Sequence, residues 1–131
     1  MYIDAVIVQG ENRTFSSSIK VLDENETDFI PMDLDDYSIE FRVMGSPTAD
    51  GEVLLSKIIT QNTDRATIGR ITDAANGQFD FSITRDDTIS LGLGKHPIQL
   101  RLLNAETGEL VYTVTEGGLN GEFNSITIVQ V

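Results

Sequence analysis

The stretch Gly77–Leu103, GQFDFSITRDDTISLGLGKHPIQLRLL, constrains what this chain can fold into more than any other. It begins at an Asn76-Gly77 turn and alternates through Phe79, Phe81 and Ile83. A short charged segment interrupts it, and it alternates again through Ile98, Leu100 and Leu102. Two period-2 runs with one apolar face each are the pattern of half-buried strands. Between them Thr84 is placed to cap a single helical turn over Arg85-Asp86-Asp87-Thr88, with Leu91 and Leu93 closing it onto a core. Gly92 and Gly94 then turn the chain back. A strand, a one-turn crossover and a second strand carry a chain from one sheet of a sandwich to the other.

The rest of the sequence supplies further strands. Residues 2–9 are a β-rich run that stops at Gly10, and in 13–22 Phe15, Ser17, Ile19 and Val21 share a face. Asp23 to Asp28 is expected to be an exposed acidic loop, and Pro31 after Ile30 fits a strand edge or a loop. Residues 37–44 alternate most cleanly, with Tyr37, Ile39, Phe41 and Val43 inward and Ser38, Glu40 and Arg42 outward. Residues 45–51 have loop composition, and 52–60 form a strand whose weaker alternation suggests partial burial on both faces. Residues 61–65 loop out, and 66–72 lead as a short strand to the corner at 73–77. Residues 98–103 and 109–115 pair as a hairpin, and a last run covers 123–131. About eight or nine strands without helical periodicity predict one all-β domain over residues 1–131, a sandwich or barrel of Greek-key type.

Composition narrows the function. Twenty-one Asp and Glu against nine Lys and Arg give a net charge of −12, so the basic footprint that phosphate binding requires is missing, nucleic acid is disfavoured, and no nucleic-acid partner is expected. No run reaches the roughly 18 apolar residues of a membrane span, and the N-terminus lacks a basic region with a cleavage site. The expectation is a protein made in a cytoplasm, with no membrane partner. With no cysteine there are no disulfides and no thiolate metal sites.

Few residues offer chemistry. His96 is the one histidine, beside Pro97 at a strand start and without a visible partner, so a structural role is expected and no catalytic residue is assigned. No nucleophile elbow, zinc or phosphate-loop motif occurs. Asp23, Asn25, Thr27 and Asp28 loosely follow calcium-loop spacing, with Asp33, Asp35 and Asp36 placed to join from nearby, but Asp28 stands where the loop glycine belongs and Leu34 where the closing glutamate belongs. A solvated acidic loop is the preferred reading, with no metal or cofactor. Asp86 and Asp87 suit the positive end of a short helix. Phe15, Phe41, Phe79, Phe81 and Phe123 are expected in the core, and the lack of Trp gives a sugar-binding platform no support.

Two segments together carry a resemblance. Ile30-Pro31-Met32-Asp33-Leu34 followed by Tyr37-Ser38-Ile39-Glu40-Phe41-Arg42-Val43 is one. Asn76 to Thr84, then Asp87-Thr88, Leu91 and Gly94 to Leu100, is the other. They resemble the turn and core pattern of the immunoglobulin-like N-terminal domain of phage upper baseplate proteins and related small virion sandwiches. His96-Pro97 stands where that pattern has an aromatic residue. The resemblance implies an immunoglobulin-like antiparallel β-sandwich with one short helical turn near 85–91. It implies a non-enzymatic bacteriophage virion protein, on the tail or baseplate or as a capsid decoration or head fibre. The implied partners are other virion proteins in a multicopy assembly, contacted through strand edges and terminal arms. Tyr2, Ile3, Val6, Val8, Ile126, Ile128 and Val131 are the interface candidates. The alternative is a stand-alone module binding carbohydrate or calcium.

Overall fold

A computed structural model of the chain describes residues 4–22, 24–45, 52–114 and 125–130. Its strands are β1 (Asp4–Val8), β2 (Arg13–Ser18), β3 (Lys20–Leu22), β4 (Phe29–Pro31), β5 (Tyr37–Met44), β6 (Val53–Ile59), β7 (Gly69–Asp73), β8 (Gln78–Ile83), β9 (Gly94–Asn104), β10 (Leu110–Val114) and β11 (Ser125–Val129). A 3-10 turn at Ala74–Asn76 precedes β8, and α1 (Arg85–Leu91) links β8 to β9. The larger sheet has the order β1-β11-β9-β5-β6, with β10 also on β9. The smaller sheet is β2-β8-β7, and β3 and β4 form a separate ribbon.

This is an all-β, immunoglobulin-like sandwich. β2-β8-β7 follows the order B-E-D of that fold, and β11-β9-β5-β6 the order G-F-C-C′ of its variable type. Strand β9 is the hub. Gly94–Pro97 pair with β11, Leu100–Leu103 pair with β10, and Ile98–Asn104 pair with β5.

Alternation builds the core. Ile39, Phe41 and Val43 of β5 and Leu100 and Leu102 of β9 are fully buried, as are Phe79, Phe81 and Ile83 of β8, and all join one cluster. The Phe81 ring stacks on Phe15 at 5.2 Å and on Phe41 at 4.9 Å, so three rings from β2, β8 and β5 bridge the two sheets. Immunoglobulin domains of antibodies use a disulfide and a Trp at the equivalent place. This chain has neither cysteine nor Trp, and each stacked pair contributes about 1 kcal/mol beyond its area burial.

The structure departs from the sequence reading at defined points. There are eleven strands among the described residues rather than eight or nine. The β1–β11 pair is parallel, from Asp4↔Ser125 to Val8↔Val129, within an otherwise antiparallel sandwich. These strands come from opposite ends of the chain, so no hairpin dictates their direction. The run 13–22 is two strands. Ile19 leaves the β2 ladder, donates its N–H to Gly77 and accepts from Met32, which starts the β3–β4 ribbon. The crossover is a seven-residue helix rather than one turn, and Leu93 is exposed instead of closing on the core. Strand β9 begins at Gly94, before Pro97. β6 is not buried on both faces, because it is an end strand with Lys57 on its inner side. Phe123 lies outside the described residues.

Candidate functional site

The crossover expected from the sequence is held by three polar locks. Thr84 caps α1, accepting from the Asp87 N–H at 3.2 Å while the Asp87 carboxylate accepts from the Thr84 N–H at 2.8 Å. This reciprocal capping box satisfies two backbone donors that a helix start otherwise leaves open. Thr88 is fully buried. Its hydroxyl donates to the Arg85 carbonyl at 2.8 Å and accepts the Gly10 N–H at 2.9 Å, tying the β1–β2 corner to the helix. The third lock is Lys57 of β6. Its ammonium donates to the Thr67 carbonyl (2.6 Å), the Ser82 carbonyl (2.8 Å) and Asp87 Oδ2 (2.5 Å), so all three donors are used. Burial pushes the Asp87 carboxyl up, but the Lys57 and Thr84 hydrogen bonds and the Lys57 charge outweigh it and hold it below the usual carboxylate range. Helix-dipole chemistry alone pointed to Asp87; Lys57 comes from a strand 30 residues earlier, and no local spacing signals it.

A second cluster lies on the outer face of the smaller sheet. Asp80 alternates outward from β8, yet its side chain is only 5% exposed. It accepts from Ser16 Oγ at 2.6 Å and from Arg65 Nε. Ser82 Oγ donates to the Arg65 carbonyl, which leaves it to accept from Thr14 Oγ1 at 2.7 Å. The loop carrying Arg65 thus covers this end of the sheet. Desolvation raises the Asp80 carboxyl, and the Ser16 and Arg65 contacts more than reverse that and hold it low. Beside it runs an open, shallow groove of about 380 Å³ lined by Ser16, Thr72, Gln78 and Asp80. Its carboxylate is already committed to structural partners.

His96 Nε2 lies 2.9 Å from the Gly92 carbonyl. A carbonyl only accepts, so Nε2 carries the proton and donates. The immunoglobulin fold has a tyrosine near the start of strand F whose hydroxyl bonds to backbone a few residues upstream. His96, near the start of β9, makes that contact in its place.

Asn25, Asp28 and Asp33 are exposed, and Asp33 Oδ1 accepts the Asp35 N–H at 3.0 Å; Asp23 lies outside the described residues. Among the described residues no three His, Cys, Asp or Glu side chains are grouped to hold a metal ion.

The interface candidates divide. Ile126 and Ile128 are corrected: both are buried in the core, because β11 is flanked by β1 and β9 and turns these side chains inward. Val6 on β1 is 56% exposed and Val8 is half-buried. Tyr2, Ile3 and Val131 lie outside the described residues. Sequence reasoning set Glu40 and Arg42 outward but missed their partners on the outer face of the larger sheet. There Glu40 Oε1 accepts from Arg101 at 2.9 Å, with Arg42 Nε at 3.7 Å, and Arg42 Nη1 donates to Gln99 at 2.9 Å. Leu54 and Ile58 of β6 stand exposed beside this network.

No family model matches the chain, and no curated protein matches it in sequence. Solved structures share its fold. The NK cell receptor NKp44, described as a triggering partner in natural cytotoxicity, is 10% identical with a TM-score of 0.51, covering 98% of this chain and 99% of that one. The N-terminal domain of phage TP901-1 ORF48 is 11% identical with a TM-score of 0.51, covering 99% of this chain and 86% of that one. At such identities the likeness is one of fold.

Proposed function

We propose that the chain is a non-enzymatic structural module of a bacteriophage virion that docks on tail, baseplate or capsid proteins. The observation that carries this reading is the phage sequence pattern over Ile30–Leu100, taken with a fold shared by a phage N-terminal domain. The residues of that pattern serve the fold: Phe41 and Phe81 in the sheet-bridging stack, Thr84, Asp87 and Thr88 in the crossover, Gly94 at the start of β9. The prominent polar clusters, around Asp87 and Asp80, are likewise engaged in holding elements together. A domain so built acts by presenting surface. Strand β1, which ends the larger sheet among the described residues, with Val6 exposed and Val8 half-buried, is the terminal-strand surface offered to a neighbouring sheet. Many weak contacts on a symmetric particle add through multivalency.

Mixing the purified protein with purified capsids and, separately, with tails tests the proposal. Co-sedimentation with one of them, reduced by Val6→Lys, is the expected result. Failure to bind either particle would overturn it.

A further inference from the structure

The β3–β4 ribbon and the turn joining its strands concentrate unpaired negative charge. Glu24, Glu26 and Asp28 are all exposed there. Beside them two large apolar side chains stand in solvent, Phe29 at 53% and Ile30 at 44%. Among the described residues no ion pair reaches these three carboxylates. The outer face of the larger sheet has the opposite character. Arg13, Lys57 and Arg65 each pair with a carboxylate of their own. Arg42 and Arg101 instead share Glu40, which leaves one positive charge uncompensated. The cross-strand neighbours of Arg42, Gln99 and Ser56, are neutral. Ile58 of β6, opposite Glu40 in the ladder, is 41% exposed at the rim of this network.

We propose that the outer face of the larger sheet receives the acidic ribbon of a second copy, so that molecules associate head to tail. The ribbon's carboxylates meet the uncompensated guanidinium charge of Arg42 and Arg101. Its exposed apolar pair covers Ile58.

Complementarity of charge and of apolar surface selects a second copy. An occupant of this face must bring unpaired carboxylates together with exposed apolar side chains, and residues 24–30 of this chain carry both. Within one chain no ion pair among the described residues joins the ribbon to the face, so the fit is between molecules. Ribbon against ribbon, or face against face, would oppose like charges. The contact is therefore heterologous: each copy offers its ribbon to one neighbour and its face to another, and the series closes into a ring or runs on as a filament. A single contact between surface charges is weak, so the dilute chain of a thermal melt is monomeric, and repetition adds strength through multivalency. This inference goes beyond the virion reading, and either can fail without the other.

Sedimentation equilibrium of the wild type and two variants tests it. At about 0.01 M salt the wild type is expected to exceed the 14.4 kDa chain mass as its concentration rises to millimolar, and at about 0.15 M salt to fall back toward it. Ile58→Glu spoils the face and leaves the ribbon intact. E24Q/E26Q/D28N spoils the ribbon and leaves the face intact. Each variant alone is expected to associate at least about tenfold more weakly than wild type. Mixed, they retain one working ribbon and one working face, and are expected to form a pair that stops at two chains. A wild type that stays at one chain mass to millimolar concentration at low salt overturns the proposal. So does either folded variant associating as tightly as wild type, or a mixture no heavier than its separate components. Circular dichroism melts check folding. Should a variant unfold, amide chemical shifts of the wild type followed with concentration decide. Changes at both the ribbon and the β5–β6 outer face support the contact, and changes missing from either overturn it.

Discussion

Asp80 and Asp87 tie the stability of this sandwich to pH. Both carboxyls lie lower in the folded chain than in an unfolded one, because hydrogen bonds and a facing cation outweigh desolvation. Their contribution is fully present above the unfolded value of about 3.9 and is lost as pH falls through the folded values. Denaturant melts from pH 7 to pH 2 are therefore expected to show falling stability below about pH 4. In Asp80→Asn and Asp87→Asn the gap from wild type should be widest at neutral pH and narrow toward acid. Asp87→Ala goes further, since it strands the Lys57 ammonium with two carbonyls and no counter-charge. Breaking such a buried pair costs about 3 kcal/mol, and urea unfolding at pH 7 measures it. His96 gives a second prediction at this scale. The hydrogen bond to Gly92 makes it a substitute for the corner tyrosine. His96→Ala should cost about 1 kcal/mol in the same assay, while His96→Tyr should retain most of the wild-type stability.

At the scale of elements, two glycines with left-handed backbone separate conformational strain from steric exclusion. Gly69 opens β7 at φ +125°, and a Cβ there would lie 2.2 Å from the Asp80 carbonyl oxygen and 2.8 Å from the Phe81 Cα. Gly10 at the β1–β2 corner has φ +94° with nothing within 4 Å of such a Cβ. Gly10→Ala should cost about 1 kcal/mol from backbone alone. Gly69→Ala should cost clearly more, because the β7–β8 ladder must open, and paired thermal melts compare the two. The same elements show what the sequence could convey. Phe79, Phe81, Ile83, Leu100 and Leu102 announced β8 and β9 because period-2 burial is local, and Thr84 announced the helix because a cap is local. The division at Ile19 was hidden, since it depends on the Gly77 carbonyl and the Met32 N–H, both distant in sequence. Ile126 and Ile128 were mistaken for docking residues because an apolar terminal strand looks the same whether it ends a sheet or lies within one. Lys57 weakened the pattern of β6 because its inward position makes sense only once Asp87 faces it.

For the whole molecule, the excess of negative charge is unevenly spread, and that gives the last prediction. Seven of the 21 acidic residues fall between Asp23 and Asp36, with no Lys or Arg between Lys20 and Arg42. This segment includes β4 of the β3–β4 ribbon, which among the described residues pairs with neither sheet. Several basic residues are already engaged elsewhere, Lys57 with Asp87, Arg65 with Asp80, Arg42 and Arg101 with Glu40. The remaining carboxylates repel one another, and self-repulsion opposes the compact state. Salt screens it, since the Debye length falls from about 30 Å at 0.01 M to about 8 Å at 0.15 M. The melting temperature at pH 7 should therefore rise with sodium chloride over that range. The triple variant E24Q/E26Q/D28N should melt higher than wild type at low salt and gain less from added salt. Calcium at matched ionic strength should do no more than sodium, because Asn25, Asp28 and Asp33 are exposed and, among the described residues, no three His, Cys, Asp or Glu side chains are grouped to hold an ion. A larger rise with calcium, reversed by EDTA and abolished in the triple variant, would instead make the ribbon a cation-binding arm. Self-repulsion would then be its resting condition rather than a general property of the surface.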